Sequence, residues 1–135
     1  MEYLATCQND IKIMKEVIYE KIVTEYKTPL KVVEINIGKD SLKKRMPKHW
    51  HRSIELILPI ENGSEVWVEG NVYQTEANEI VIVNSRAIHE CGALHLEGAY
   101  RGYAIQLKYD FLKDVLPNID QYVFRNHIVK DVYPT

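Results

Sequence analysis

The stretch His49-Trp50-His51-Arg52-Ser53-Ile54-Glu55 opens the most apolar run of the chain, Ile54-Glu55-Leu56-Ile57-Leu58-Pro59-Ile60. Alternate residues of a strand point to one side, so His49 and His51 share a face wherever this segment is extended, and Glu55 has the same parity. A straight strand, at about 3.4 Å per residue, would still hold Glu55 roughly 13 Å from His51, too far to share one ion or ligand atom. The three converge only if the chain bends near Arg52-Ser53, with the histidines at one strand end and Glu55 on the next strand. The run is also apolar on both faces: Ile54, Leu56, Leu58 and Ile60 form one side, and Ile57 continues the side of Glu55. A strand of this kind needs cover on both faces. The domain interior supplies one cover, and a second sheet, the N-terminal helix or a partner subunit must supply the other.

Downstream, short strands alternate with turn signals. Asn62-Gly63, between Ile54–Ile60 and Ser64–Val68, predicts a hairpin, because both residues tolerate positive φ. Gly70-Asn71 predicts the reversal into Val72–Thr75, and Ala77-Asn78 the one into Ile80–Val83. Asn84-Ser85-Arg86 then turns the chain toward Ile88–Cys91, and Gly92 and Gly98 punctuate the approach to Tyr100–Lys108. Regular short strands of this kind point to a sandwich or barrel. Asp110 is placed to cap a short helix, Phe111 to Leu116, stopped by Pro117. Asn118 to Thr135 holds enough apolar residues for a strand or packing segment, then ends without a closing element, so the chain is expected to be a piece of a longer protein.

Upstream, Ile11, Met14, Val17, Ile18 and Ile22 approximate an i, i+3, i+4, i+7 stripe that predicts an amphipathic helix over Asp10 to Tyr26. It would pack on the domain or contribute to a dimer. Leu30 to Ile37 reads as the first strand. Gly38 to Lys48 carries Lys39, Lys43, Lys44, Arg45 and Lys48 without interleaved aromatics, the mark of a solvated loop rather than a nucleic-acid surface.

A length of 135 residues suits one domain with a sizeable core, and 46% hydrophobic with 27% charged residues matches a globular protein. The net charge of −2, from 17 basic and 19 acidic residues, supplies no positive field for DNA. The first residues lack the basic and apolar regions of a signal peptide, and no apolar run approaches the roughly 20 residues of a membrane helix. Cys7 and Cys91 lack metal-type spacing and are expected to be buried thiols of a cytoplasmic protein.

The spacing H-x-H-x3-E resembles the first cupin motif, and Asn78-Glu79-Ile80-Val81-Ile82-Val83-Asn84-Ser85-Arg86-Ala87-Ile88-His89 resembles the second. In the latter, Asn78-Glu79 stands where a glycine and an acid are usual, and Asn84 where proline is usual. Within the cupins, the H-W-H opening, the strand ending in Glu61-Asn62-Gly63 and the stretch Gln106-Leu107-Lys108-Tyr109-Asp110-Phe111-Leu112 look most like the N-terminal effector-binding domain of AraC-type transcription regulators. The resemblance implies an all-β, double-stranded β-helix (a cupin jelly-roll barrel) with flanking short helices. Residues 1–29 would form an N-terminal arm or helix, 30–123 the barrel, and 124–135 the start of a connection to further chain.

The resemblance further implies a regulatory domain, not an enzyme, that binds a small polar metabolite such as a sugar and homodimerises. The DNA-binding helix-turn-helix units of the family have no counterpart in this sequence, so no direct nucleic-acid contact is expected. His89, from another strand, would join His49, His51 and Glu55 as the ligand-binding set. No cofactor is expected on this reading. The alternative is a metal-dependent cupin enzyme, an oxygenase or isomerase, in which the same four residues hold a divalent Zn, Mn, Fe or Ni, since imidazole and carboxylate suit such ions.

The remaining candidates read as structural. Trp67 shares its strand side with Glu65 and Glu69, a partly exposed face. Tyr73, Tyr100 and Tyr103 are expected to pack with a wet tip, and His95 and His127 to lie at the surface or in packing. The four site residues are expected at an open mouth where substitution spares folding. Trp50, of opposite parity, is expected to contribute to stability.

Overall fold

In the computed structural model, residues 17–24, 28–41 and 45–128 are described. The alternation around the central strand becomes a pair of facing sheets. The first has the order β1 (Ile18–Tyr19), β3 (His49–Trp50), β8 (His89–Ala93), β5 (Ser64–Val68), β6 (Asn71–Thr75). The second runs β10 (His127–Ile128), β7 (Ile80–Val83), β4 (Ile54–Glu61), β9 (Tyr100–Leu107), β2 (Leu30–Ile37). Within these sheets all pairs are antiparallel except β1 with β3. Crossing from one sheet to the other and back along the sequence is the winding of a jelly roll.

Strand parity decides what each sheet buries. Val33 and Ile35 of β2, Ile57 of β4, Val66 and Val68 of β5, Val81 and Val83 of β7 and Ala104 of β9 turn inward and form one core. The valines and isoleucines among them, β-branched, fill the space between two pleated surfaces. The outer residues Leu56, Leu58 and Ile60 of β4 are half-buried, and Trp67 is half-exposed beneath the Lys48 ammonium, 4.2 Å from its ring centre. Tyr100 is buried with its hydroxyl 2.9 Å from Ser64 Oγ, and Tyr73 donates to Asn126. Tyr73 and Tyr100 therefore pack with satisfied tips.

Some local expectations shift. In the described part of the expected N-terminal helix, residues 17–24, the chain is not helical and Ile18–Tyr19 is a strand instead, while the rest of that helix lies outside the described residues. Ile18 and Glu20 donate backbone hydrogen bonds to Lys48 and Trp50, so the open edge of β3 competes with the helical hydrogen bonds and wins. Val17, Ile18, Ile22 and Val23, all β-branched, suit the extended form.

The β5–β6 turn falls on Glu69-Gly70, both at positive φ, one residue before the expected position. The short helix α1 spans Tyr109–Val115, with Lys108 rather than Asp110 at its cap and Asp110 in the first turn. There its charge favours the positive end of the helix. Arg45 of the basic stretch pairs with Glu65 at 2.8 Å and Glu90 at 3.3 Å; Lys43 and Lys44 are not among the described residues. At the C-terminal end, β10 adds an edge strand to β7, as the apolar content there suggested. Among the described residues no helix is long and apolar enough to cross a membrane.

Candidate functional site

The bend that convergence requires is present. After β3 the chain turns through His51-Arg52-Ser53 and re-enters as β4 in the opposite sheet. Two contacts from the segment before β8 hold the turn: Arg86 N–H donates to His51 O at 2.8 Å, and Ser85 Oγ donates to Arg52 O at 2.6 Å. The carboxylate of Glu55 consequently lies 2.7 Å from His51 Nε2, not 13 Å. His89 arrives on β8 directly opposite His49 in the β3–β8 pair. One ligand atom each from His49, His51, Glu55 and His89 lies within 4.8 Å of the others.

These side chains are not at an open mouth. They are exposed by 4% or less, which corrects the open-mouth placement on which tolerance of substitution was expected. Trp50 points away from them, half-buried against the Tyr19 ring with centroids 4.6 Å apart.

Each imidazole is held in the same way. Nδ1 of His49 faces the Pro47 carbonyl at 2.8 Å, that of His51 the Ser53 carbonyl at 3.0 Å, and that of His89 the Ala87 carbonyl at 2.9 Å. A carbonyl only accepts, so each Nδ1 carries the proton and each Nε2 of a neutral ring presents a lone pair inward. The Nε2 atoms of His51 and His89 meet Glu55 Oε2 at 2.7 and 3.2 Å. A lone pair does not rest against a carboxylate oxygen at such distances. Either a proton sits on each of these nitrogens or a cation replaces the protons. Backbone carbonyls fixing Nδ1–H are also how proteins orient histidines toward metals. The residues therefore fit a divalent ion, held by three Nε2 atoms and Glu55.

The electrostatics agree. Burial alone would raise the Glu55 carboxyl, yet hydrogen bonds from His51 and His89 and their charge hold it far below the usual carboxylate range. Burial opposes charge on His51, but the hydrogen bond to Glu55, and the charges of Glu55 and Glu20, hold its pKa above the ordinary value. His49 is pushed down to about 4 by burial and by the neighbouring His89.

Two residues that the sequence reading did not single out border the cluster. Gln106 of β9 is the register partner of Glu55, so it shares the inward face; it is fully buried, and its amide N and O have no hydrogen-bond partner among the described residues. The alternation Gly102, Ala104, Gln106 on the buried side of β9 was the signal that could have revealed it. Glu20, just after β1, has its carboxylate 3.5 Å from His49 Nε2. Burial, then the charge of Glu55, raises the Glu20 carboxyl to about 7. His95 and His127 stand apart from the cluster, near Glu76 and Glu79.

Ion binding at this cluster is expected to be linked to pH. The bond to Glu55 holds the His51 pKa above its ordinary value, so an ion that takes its Nε2 must displace a proton there. Affinity should be full above about pH 8 and fall as pH drops through 7 to 6. Calorimetric titration with Zn²⁺ in buffers of different ionisation enthalpy measures the released protons; an affinity constant from pH 8 to 6 would count against this linkage.

No protein-family model matches the sequence, and no curated protein matches it. Solved structures do. A cupin 2 conserved barrel domain protein from Salinispora arenicola is 11% identical, with a TM-score of 0.52 over 73% of this chain and 79% of that one. The Cnp3 cupin domain of Schizosaccharomyces pombe gives 10% identity and a TM-score of 0.56, covering 69% and 66%. A salicylate 1,2-dioxygenase from Pseudaminobacter salicylatoxidans gives 10% and 0.52, covering 64% of this chain and 24% of the enzyme. At such identities the likeness establishes the fold. The chain forms a cupin jelly roll with few helices, and its His/Glu group can hold a metal.

Proposed function

We propose that this chain is the small-molecule-sensing and dimerisation domain of an AraC-type transcription regulator, with its effector site built on His49, His51, Glu55 and His89. The observation that carries the reading is enclosure: the four polar residues are 4% exposed or less, and a strand from the N-terminal segment lies across their edge. A buried site covered by a separately attached segment suits a domain that converts occupancy into a change of arrangement. The H-W-H opening and the stretch from Gln106 to Leu112 support the assignment to this family by resemblance. The amide of Gln106, unpartnered among the described residues, supports a small polar ligand, since its NH2 donors and its carbonyl acceptor lie beside Glu55.

The dimer has its own support. Val32, Ile105, Leu56 and Ile82 form a register row across the outer face of the second sheet, and Val32 is 54% exposed. A second copy would cover that row.

A second reading, a metal-dependent cupin enzyme, is favoured by the inward convergence of the Nε2 lone pairs. Purification without a nickel column, followed by metal analysis, oxygen-uptake assays and a thermal-shift screen of sugars and polar acids, separates the two. The regulatory reading expects a ligand that raises the melting temperature without turnover, a dimer in sedimentation equilibrium, and no shift of DNA against competitor. Turnover of a bound compound would favour the enzyme, and a monomer at high micromolar concentration would remove the dimerisation role.

A further inference from the structure

Among the described residues of the N-terminal segment, Glu20 is the acidic side chain that reaches the buried cluster. Its Oε2 is buried, has no hydrogen-bond partner among the described residues, and lies 3.5 Å from His49 Nε2. Because His49 Nδ1–H is committed to the Pro47 carbonyl, that Nε2 turns a lone pair toward the carboxylate. Glu20 thus faces His49 as Glu55 faces His51 and His89, but at 3.5 Å instead of 2.7 and 3.2 Å, with no hydrogen bond yet made.

Charge makes the same demand. A divalent ion with Glu55 as its only anion would leave one net positive charge in a site excluded from water, and a buried uncompensated charge is strongly unfavourable. A second carboxylate brings the sum to zero.

We propose that Glu20 is a further oxygen ligand of a divalent ion held by His49, His51, Glu55 and His89, so that ion binding pins strand β1 against β3 at the edge of the site. The proposal rests on the metal-binding use of the cluster described above. The segment is otherwise weakly held. Its regular pairing is two residues long, with backbone bonds of 3.1 Å from Ile18 to Lys48 and 2.9 Å from Glu20 to Trp50. Val17, Tyr19 and Val23 are 45%, 50% and 64% exposed, so little apolar burial anchors it. Segments with few buried contacts open at small free-energy cost, and a ligand bond reaching into the core changes that balance visibly.

The test uses the full chain with Zn²⁺ or Co²⁺ and two readouts. Calorimetry gives the ion affinity, and mass spectrometry gives the rate of tryptic cleavage after Lys21, which is exposed beside Glu20. The wild type should bind the ion, with cleavage at Lys21 slowed severalfold on binding. Glu20→Gln, which keeps the size of the side chain, should bind about 10–100-fold more weakly, at least the loss seen for groups that merely support a ligand, and should show no ion-dependent protection. Glu20→Ala should behave alike, and melting of both variants without ion verifies that they fold. If the wild type binds the ion but Glu20→Gln keeps its affinity, or Lys21 is cleaved equally with and without ion, the role of Glu20 is overturned while the metal site stands. If the wild type binds no ion, or His51→Ala binds as well as the wild type, the metal-binding reading itself fails, and this proposal with it.

Discussion

Replacing Glu55 by alanine is expected to lower the stability of the ion-free protein by about 3–5 kcal/mol, the usual result of removing one partner from a buried ionic group. Glu55 Oε2 is the shared acceptor of His51 and His89, and all three are exposed by 1% or less. Its loss leaves two imidazole nitrogens facing a void. The melting temperature should fall on the order of 10 °C or more. The pH dependence follows from the direction of the Glu55 shift. A carboxyl held below its unfolded value contributes stability that is complete above about pH 4.5 and is lost as pH falls further, so the gap between wild type and variant should narrow in acid. Glu55→Gln separates structure from charge. It keeps one oxygen acceptor and the side-chain volume, so it should melt closer to the wild type, yet hold a divalent ion at least 100-fold more weakly. An alanine variant that melts like the wild type would mean that the cluster is not a coherent buried network.

How much of this could be read from the residues depends on the range of the interactions involved. The strand parity of His49, His51 and Glu55 is local and was legible, as were the hairpin at Asn62 and the all-β character. The closure of the site was not. It depends on Ser85 and Arg86 bonding back to the turn at His51-Arg52, and on β8 setting His89 opposite His49, contacts across 33 residues or more. Only the resemblance to cupin motifs supplied that topology beforehand. The error at residues 17–24 has a related cause. An apolar stripe at helical spacing, when built of valine and isoleucine, fits a strand equally well, and the free edge of β3 decided between them. Once the segment is read as extended, Glu20 falls beside His49, which a helical reading had concealed. Gln106 was hidden differently, because a polar residue on an inward face stands out only after the register of β9 against β4 is known.

The hairpin between β4 and β5 shows a residue correctly flagged for an incomplete reason, and it leads to the other large effect. Asn62-Gly63 was read as a turn in which both residues tolerate positive φ, but among the described glycines only Gly70 has it; at this turn Asn62 carries it, with φ 70°. Gly63 is needed for space. A Cβ built there would lie 2.1 Å from the Thr75 carbonyl oxygen, 2.8 Å from Leu94 Cδ2 and 3.1 Å from Leu94 Cβ. The Thr75 oxygen is backbone, so it cannot swing aside as a flexible side chain could. The Gly63 carbonyl also accepts from Leu94 N–H at 2.8 Å, and the neighbouring Asn62 side chain bonds His95 and Ala99. Moving Gly63 would therefore pull β6 and the loop after β8 together. Gly63→Ala is expected to destabilise by about 3 kcal/mol or more, the upper end of overpacking in a closed core. Gly38→Ala is the matched control, because nothing lies within 4 Å of the added carbon; fewer unfolded conformations should leave that variant unchanged or about 0.4–1 kcal/mol more stable. Urea denaturation of the three proteins checks both values, and a Gly63→Ala variant with the midpoint of the wild type would show that β4, β5 and β6 do not meet at this turn as described.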